Sequence, residues 1–149
     1  MGPVVDVRTT VEIDRPRAEV AAFASDPDNV TAWYANITSV AWKSPPPLAV
    51  GTLLAFTARF LGRRLSYEYE VTQFLPGLRL VMRTARGPFS METTYSWEDN
   101  ASGGTTMALR NRGEPSGLSR LVAPIMAVAV RRANTKDLAR LKARLEHGA

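Results

Sequence analysis

Tyr67, Tyr69 and Tyr95 are the side chains of this chain with the most chemistry to offer, and their spacing puts each on one side of a strand-like run. A phenol in a closed site can donate a proton or hold an enolate oxygen, but its ordinary pKa near ~10 makes it a poor base at neutral pH. Thr84, Thr93 and Asn111 fall on the same faces and add hydrogen-bonding groups, and Asn134 on a later helical segment can join them. Met82, Phe89, Trp97 and Met107 share those faces too. A few convergent polar groups among aromatic and methionine side chains is the make-up of a small-molecule pocket, since methionine adapts to irregular shapes.

Other chemistries are poorly supplied. The chain has no cysteine, so thiolate catalysis and Cys-ligated metals are excluded, a usage that fits a cytoplasmic location. Its one histidine, His147, stands near the C-terminal end. No metal site and no cofactor are expected, and no catalytic residue is assigned. The 149 residues, 45% hydrophobic and 22% charged, suit one globular domain over residues 1–149. The first residues alternate and include Asp6, unlike a signal peptide. The longest apolar run, Leu121 to Val130, is half the ~20 residues a membrane span needs and contains Pro124.

The elements that must hold these side chains follow from periodicity. Val5, Val7, Val11 and Ile13 alternate with Asp6, Arg8, Thr10 and Glu12 as in a half-buried strand. Asp14 ahead of Arg15-Pro16 predicts a capped helix start, and Asp26-Pro27-Asp28 breaks that helix before a second short one through Val30 to Trp33. Six more strands are predicted, from Ile37 to Lys43, Thr52 to Phe60, Leu65 to Phe74, Leu78 to Thr84, Phe89 to Glu98 and Thr105 to Arg112, separated by turn signals such as Pro76-Gly77. A helical period then runs from Leu118 to Glu146, about 43 Å if unbroken. Pro124 either kinks it or marks its true start. The fold class is therefore α+β: a seven-stranded curved antiparallel sheet around a long C-terminal helix, with two short helices after the first strand. The early helices look too short to cover the sheet, which leaves the last one to do so.

Strand parity separates the two faces. Opposite the tyrosines lie Glu68 and Glu70, then Arg79 and Arg83, then Glu92 and Glu98, then Arg110 and Arg112. Successive outer faces thus run acidic, basic, acidic, basic, and opposite charges on neighbouring strands pair at roughly 0.2–1 kcal/mol each. The net charge of +5 therefore does not by itself make a nucleic-acid surface, because the aromatics needed for stacking sit on the other face. The inner face carries no carboxylate in this reading. For the strand from Thr52, Leu54, Phe56, Ala58 and Phe60 are placed inward, since the alternative would bury Arg59; Trp33 and Tyr34 fall where the short helices meet the sheet. With Met126, Val130 and Asn134 from the long helix, these complete the set of residues expected to face a ligand.

Several stretches resemble the START/Bet v 1-like (SRPBCC) superfamily, in particular its bacterial polyketide cyclase/dehydrase-like branch: VEIDRPRAEVAAFASDPDNVTAWY after the first strand, VGTLLAF, YEYEVTQFLPGLRLVMRT, TTYSWED, and the closing SRLVAPIMAVAVRRANTKDLARLKARLE. The resemblance covers essentially the whole chain. It implies a helix-grip fold around a hydrophobic cavity, in a superfamily whose members bind lipids, sterols, polyketides and plant hormones, cyclise aromatic polyketides, or bind proteins. It brings no shared catalytic signature. The leading expectation is a carrier or sensor of a hydrophobic small molecule; the alternatives are a cyclase/dehydratase-like enzyme using cavity tyrosines, and a protein- or membrane-interaction module using Leu121 to Val130. A homodimer or peripheral membrane contact stays open at this stage.

Overall fold

The computed structural model of the chain describes residues 5–60, 62–86, 90–114 and 123–148, with the backbone alone at residues 60 and 114. The strands are β1 (Val5–Ile13), β2 (Ile37–Trp42), β3 (Leu53–Phe60), β4 (Arg63–Leu75), β5 (Arg79–Arg86), β6 (Ser90–Asp99) and β7 (Thr105–Glu114). They form one antiparallel sheet in the order β1-β7-β6-β5-β4-β3-β2. Between β1 and β2 lie α1 (Arg17–Ser25), a 3-10 turn (Pro27–Asn29) and α2 (Val30–Trp33), and the chain ends in α3 (Ala123–His147). Consecutive strands from β2 to β7 are neighbours, as short turns between them require. At the β4–β5 corner Pro76 presets the bend, Gly77 takes a φ of 80°, and Leu78 N–H donates to the Leu75 carbonyl at 2.9 Å.

The seven-stranded sheet with a long terminal helix is the expected architecture. Pro124 lies in the first turn of α3, where its missing N–H costs nothing. The part of the helical period from Leu118 to Val122, and with it the first two residues of the Leu121–Val130 docking reading, falls outside the described residues.

Two local expectations are corrected. Asp14 does not cap α1: the N-cap residue is Pro16, with no side-chain hydrogen bond, because the helix begins at Arg17, too far on for Asp14 to reach. Asp14 N–H instead donates to Glu146 Oε2 at 2.8 Å. Lys142 Nζ bonds both Glu146 Oε2 at 2.7 Å and the Glu12 carbonyl at 2.6 Å, so the end of α3 is tied to the end of β1. The short helices also do more covering than expected, since α1 packs against β6.

The core sits between the inner sheet face and the helices. Ile13, Val20, Trp33, Leu54, Val71, Leu80, Trp97, Met107, Leu109, Leu138 and Leu141 pack there with almost no exposure. A smaller cluster joins Val5 and Val7 of β1 to Met126 and Val130 of α3. The outer face pairs its charges across strands as parity predicts. Arg110 makes a two-point contact with Asp6 at 2.8 and 2.6 Å, Arg83 meets Glu92 at 3.6 Å and Arg86 meets Glu68 at 3.9 Å. The hydrogen bonds from Arg110 hold the Asp6 carboxyl below its ordinary pKa. Among the described residues, no helix is long and apolar enough to cross a membrane.

Candidate functional site

A cavity of about 170 Å³ opens between the middle of the sheet and α3. Its sheet wall repeats the alternation of the strands. Phe56 and Ala58 come from β3, Leu65, Tyr67 and Tyr69 from β4, Met82 and Thr84 from β5, Met91, Thr93 and Tyr95 from β6, and Asn111 from β7. The segment after α2 supplies Tyr34 and Asn36, and β2 supplies Ile37. The opposite wall is one face of α3, where Met126, Val130 and Asn134 stand four residues apart, with Ala133 and Asp137 beside them.

Polar groups in this wall form two hydrogen-bonded chains. Thr93 Oγ1 donates to Asn111 Oδ1 at 2.6 Å, which commits its only proton, so the 3.0 Å contact with Tyr69 has the phenol donating. The second is the 2.9 Å bond between the hydroxyls of Tyr34 and Tyr95. Burial raises the pKa of both, and of Tyr67 and Tyr69. All four phenols are thus neutral hydrogen-bonding groups; none is a base at physiological pH.

Asp137 changes the electrostatics. It is 2% exposed, accepts the Ala35 N–H at 3.1 Å through Oδ1, and faces Arg140 Nη1 across 3.7 Å. Arg140 also donates to the Trp33 carbonyl at 3.2 Å, so two side chains of α3 hold the segment that carries Tyr34. Burial pushes the Asp137 pKa up, partly offset by the Ala35 hydrogen bond and by Arg140. This corrects the expectation of a cavity without a carboxylate. The α3 pattern carried the signal: Asp137 is three residues after Asn134 and seven after Val130, and so shares their face. On β3, Leu54, Phe56 and Ala58 are buried and Arg59 is exposed, as the expected choice of face requires, although Arg59 also borders the cavity.

The fold brings together on the cavity wall Tyr34, Phe56, Tyr67, Tyr69, Met82, Thr84, Thr93, Tyr95, Asn111, Met126, Val130 and Asn134. Trp33, Trp97 and Met107 are placed in the packed core instead. Trp97 and Met107 are register partners near the end of β6 and the start of β7, the end to which the start of α1 is tied by the 3.4 Å contact of Arg17 with Asp99. Trp33 packs with ring centroids 4.3 Å from Tyr34 and 5.6 Å from Tyr95, and so backs the wall from behind. Phe89 and the Phe60 side chain lie outside the described residues. No cluster of histidine and acidic residues suited to a metal exists among the described residues.

Comparison with known proteins agrees with this geometry. A family model described as polyketide cyclase / dehydrase and lipid transport matches residues 4–146. No curated protein sequence matches the chain. Among solved structures, TTHA0849 of Thermus thermophilus aligns with a TM-score of 0.82 at 18% identity, over 97% of this chain and 99% of that one. A START superfamily protein of Mycobacterium smegmatis gives 0.82 at 14% identity, over 97% and 99%. The Zhui aromatase/cyclase of Streptomyces sp. R1128 gives 0.77 at 13% identity, over 98% of each chain. At these identities the likeness is one of fold.

Proposed function

The chain belongs to the polyketide cyclase / dehydrase and lipid transport family, and from that premise we propose that its cavity binds a small, largely apolar molecule, as a carrier or sensor. The observation that carries the reading is the wall itself: aromatic, aliphatic and methionine side chains interrupted by a few buried polar groups. Size narrows the ligand. A dry apolar cavity near ~150 Å³ holds benzene, whereas drug-sized ligands occupy roughly 300–1,000 Å³. A cavity of about 170 Å³ therefore suits one or two fused rings, or a short acyl chain, without rearrangement.

The test is titration with an environment-sensitive naphthalene dye, followed by competition with unlabelled aromatic and acyl compounds. Met82→Trp should fill the cavity and weaken binding more than folding. A dye that binds equally well to that variant would place the dye elsewhere and defeat the reading.

A second reading, proton transfer on a bound polyketide-like substrate, draws on one observation: a buried carboxylate, Asp137, shares the cavity with the Tyr34–Tyr95 pair. A carboxyl with a raised pKa is the kind of group that general acid–base chemistry uses. This reading requires that Asp137→Asn remove turnover of a cyclisable poly-β-ketone mimic while retaining binding. Turnover unchanged in that variant would exclude it.

A further inference from the structure

Asn134 is 4% exposed and lines the cavity, and its Nδ2 has no hydrogen-bond partner among the described residues. A buried amide N–H without a partner is costly and is completed by an ordered water or by a bound molecule. The indole N–H groups of Trp33 and Trp97 are buried without a partner too, but they lie in the packed core, whereas Asn134 belongs to the cavity wall. One helical turn on, Asp137 uses Oδ1 for both the Ala35 N–H and the Arg140 contact, which leaves Oδ2 for another donor. A donor and an acceptor at i and i+3 on the cavity face of one helix match the two hydrogen-bonding functions of a single hydroxyl.

Charge limits what that hydroxyl can be attached to. Among the described residues, the cations near the cavity are either engaged or peripheral. Arg140 is held by the Trp33 carbonyl and by Asp137, and Arg59 stands exposed at the edge. A ligand carboxylate placed at Asn134 would meet the Asp137 carboxylate in a poorly solvated site, where Arg140 is already engaged and Arg59 stands off at the cavity edge.

Resting on the cavity-binding reading above, we propose that Asn134 and Asp137 form a polar subsite on α3 that selects a neutral hydroxyl-bearing ligand, of the phenol or enol type, over the corresponding carboxylate. Nδ2 is closed off from the cavity in the free protein, so a turn of the Asn134 amide brings it round to donate to the hydroxyl oxygen, while Asp137 accepts the hydroxyl proton in a hydrogen bond; the ring lies against Tyr67, Tyr69 and Met82. No covalent step is involved. The subsite would make a free fatty or aromatic acid a poor ligand and its neutral phenolic counterpart a good one.

The experiment compares naphthalene, 2-naphthol and 2-naphthoate by calorimetric titration of the full chain at neutral pH. The expected order is 2-naphthol tightest, naphthalene weaker by roughly tenfold for the two lost hydrogen bonds, and 2-naphthoate weakest. Asn134→Leu removes one of the two bonds and should cut the advantage of 2-naphthol over naphthalene to roughly threefold, and Asp137→Asn should raise 2-naphthoate affinity. The wild-type series stands alone if either variant folds poorly. Equal affinity for all three probes would overturn the subsite while leaving cavity binding intact. Tight 2-naphthoate binding that disappears in Arg59→Gln would overturn it as well, since the acid would then sit head-outward at the cavity edge. Failure of all three to bind would instead count against the cavity-binding reading itself, and the subsite would fall with it.

Discussion

Asn134→Leu should make this protein more stable. The two side chains branch alike at Cγ, so leucine occupies much the same outline on α3 and adds only apolar atoms to a cavity wall already formed by Met126 and Val130. Removing an amide N–H that is buried without a partner should recover about 1–3 kcal/mol. Exchanging asparagine for leucine inside a helix adds roughly 0.5 kcal/mol of propensity. The sum, about 1.5–3.5 kcal/mol, corresponds to an increase in Tm of roughly 3–14 °C at the usual ~2–4 °C per kcal/mol for a chain of this size. Differential scanning fluorimetry and urea denaturation of wild type and variant without ligand read this directly, and the urea slope should be unchanged. A Tm equal to or below that of the wild type would refute the reasoning. It would show that the amide is satisfied inside the free protein, by an ordered water for instance, and so has no need of a ligand. A gain in stability coupled to a loss of ligand affinity is the signature of a residue kept for binding rather than for folding.

Three further outcomes follow from the same geometry. Deleting the chain from Ala123 onward uncovers Val5 and Val7 and removes Leu138 and Leu141 from the core, and should abolish soluble folding; a monomeric truncation with a cooperative melt would contradict the covering role of α3. Tyr34→Phe breaks the 2.9 Å bond to Tyr95 and leaves that hydroxyl without its partner, at a cost of about 1–3 kcal/mol, which a chemical melt would register; a neutral result would mean that Tyr95 finds another partner. Burial raises the Asp137 carboxyl above its ordinary 3.8, so the folded state binds that proton more tightly than the unfolded chain does. Its favourable contribution is then complete below the ordinary carboxylate range and is lost as pH rises through the folded value. Asp6, with its lowered pKa, runs the opposite way and contributes above that range. Subtracting the Asp137→Asn profile from that of wild type across mildly acidic pH should therefore leave a term that falls with rising pH, and parallel profiles would refute it.

What the sequence determined by itself is the set of faces. Alternation is a local property with a period of two, so Tyr67, Tyr69, Thr93 and Tyr95 inward and Glu68, Glu92 and Arg83 outward could be read before any strand was paired with another. The long helical period and the turn at Pro76-Gly77 are equally local, and together they define a covered seven-stranded sheet. Which inward residues surround empty space is a different matter, because a void depends on how far the covering helices stand from each part of the sheet. Trp97 and Met107 have the same parity as Tyr95 and Thr93, yet they are packed solid, at the end of the sheet to which the start of α1 is tied. Asp137 shows the converse. The helical period puts it on the face of Val130 and Asn134, but its charge reads as solvent-facing, and the docking of α3 against the Ala35 segment is what buries that carboxylate, where a backbone N–H and Arg140 hold it. Side-chain direction along an element is encoded within a few residues, whereas the depth of a cavity and the charge inside it arise from contacts between residues a hundred positions apart, and those only the tertiary structure decided.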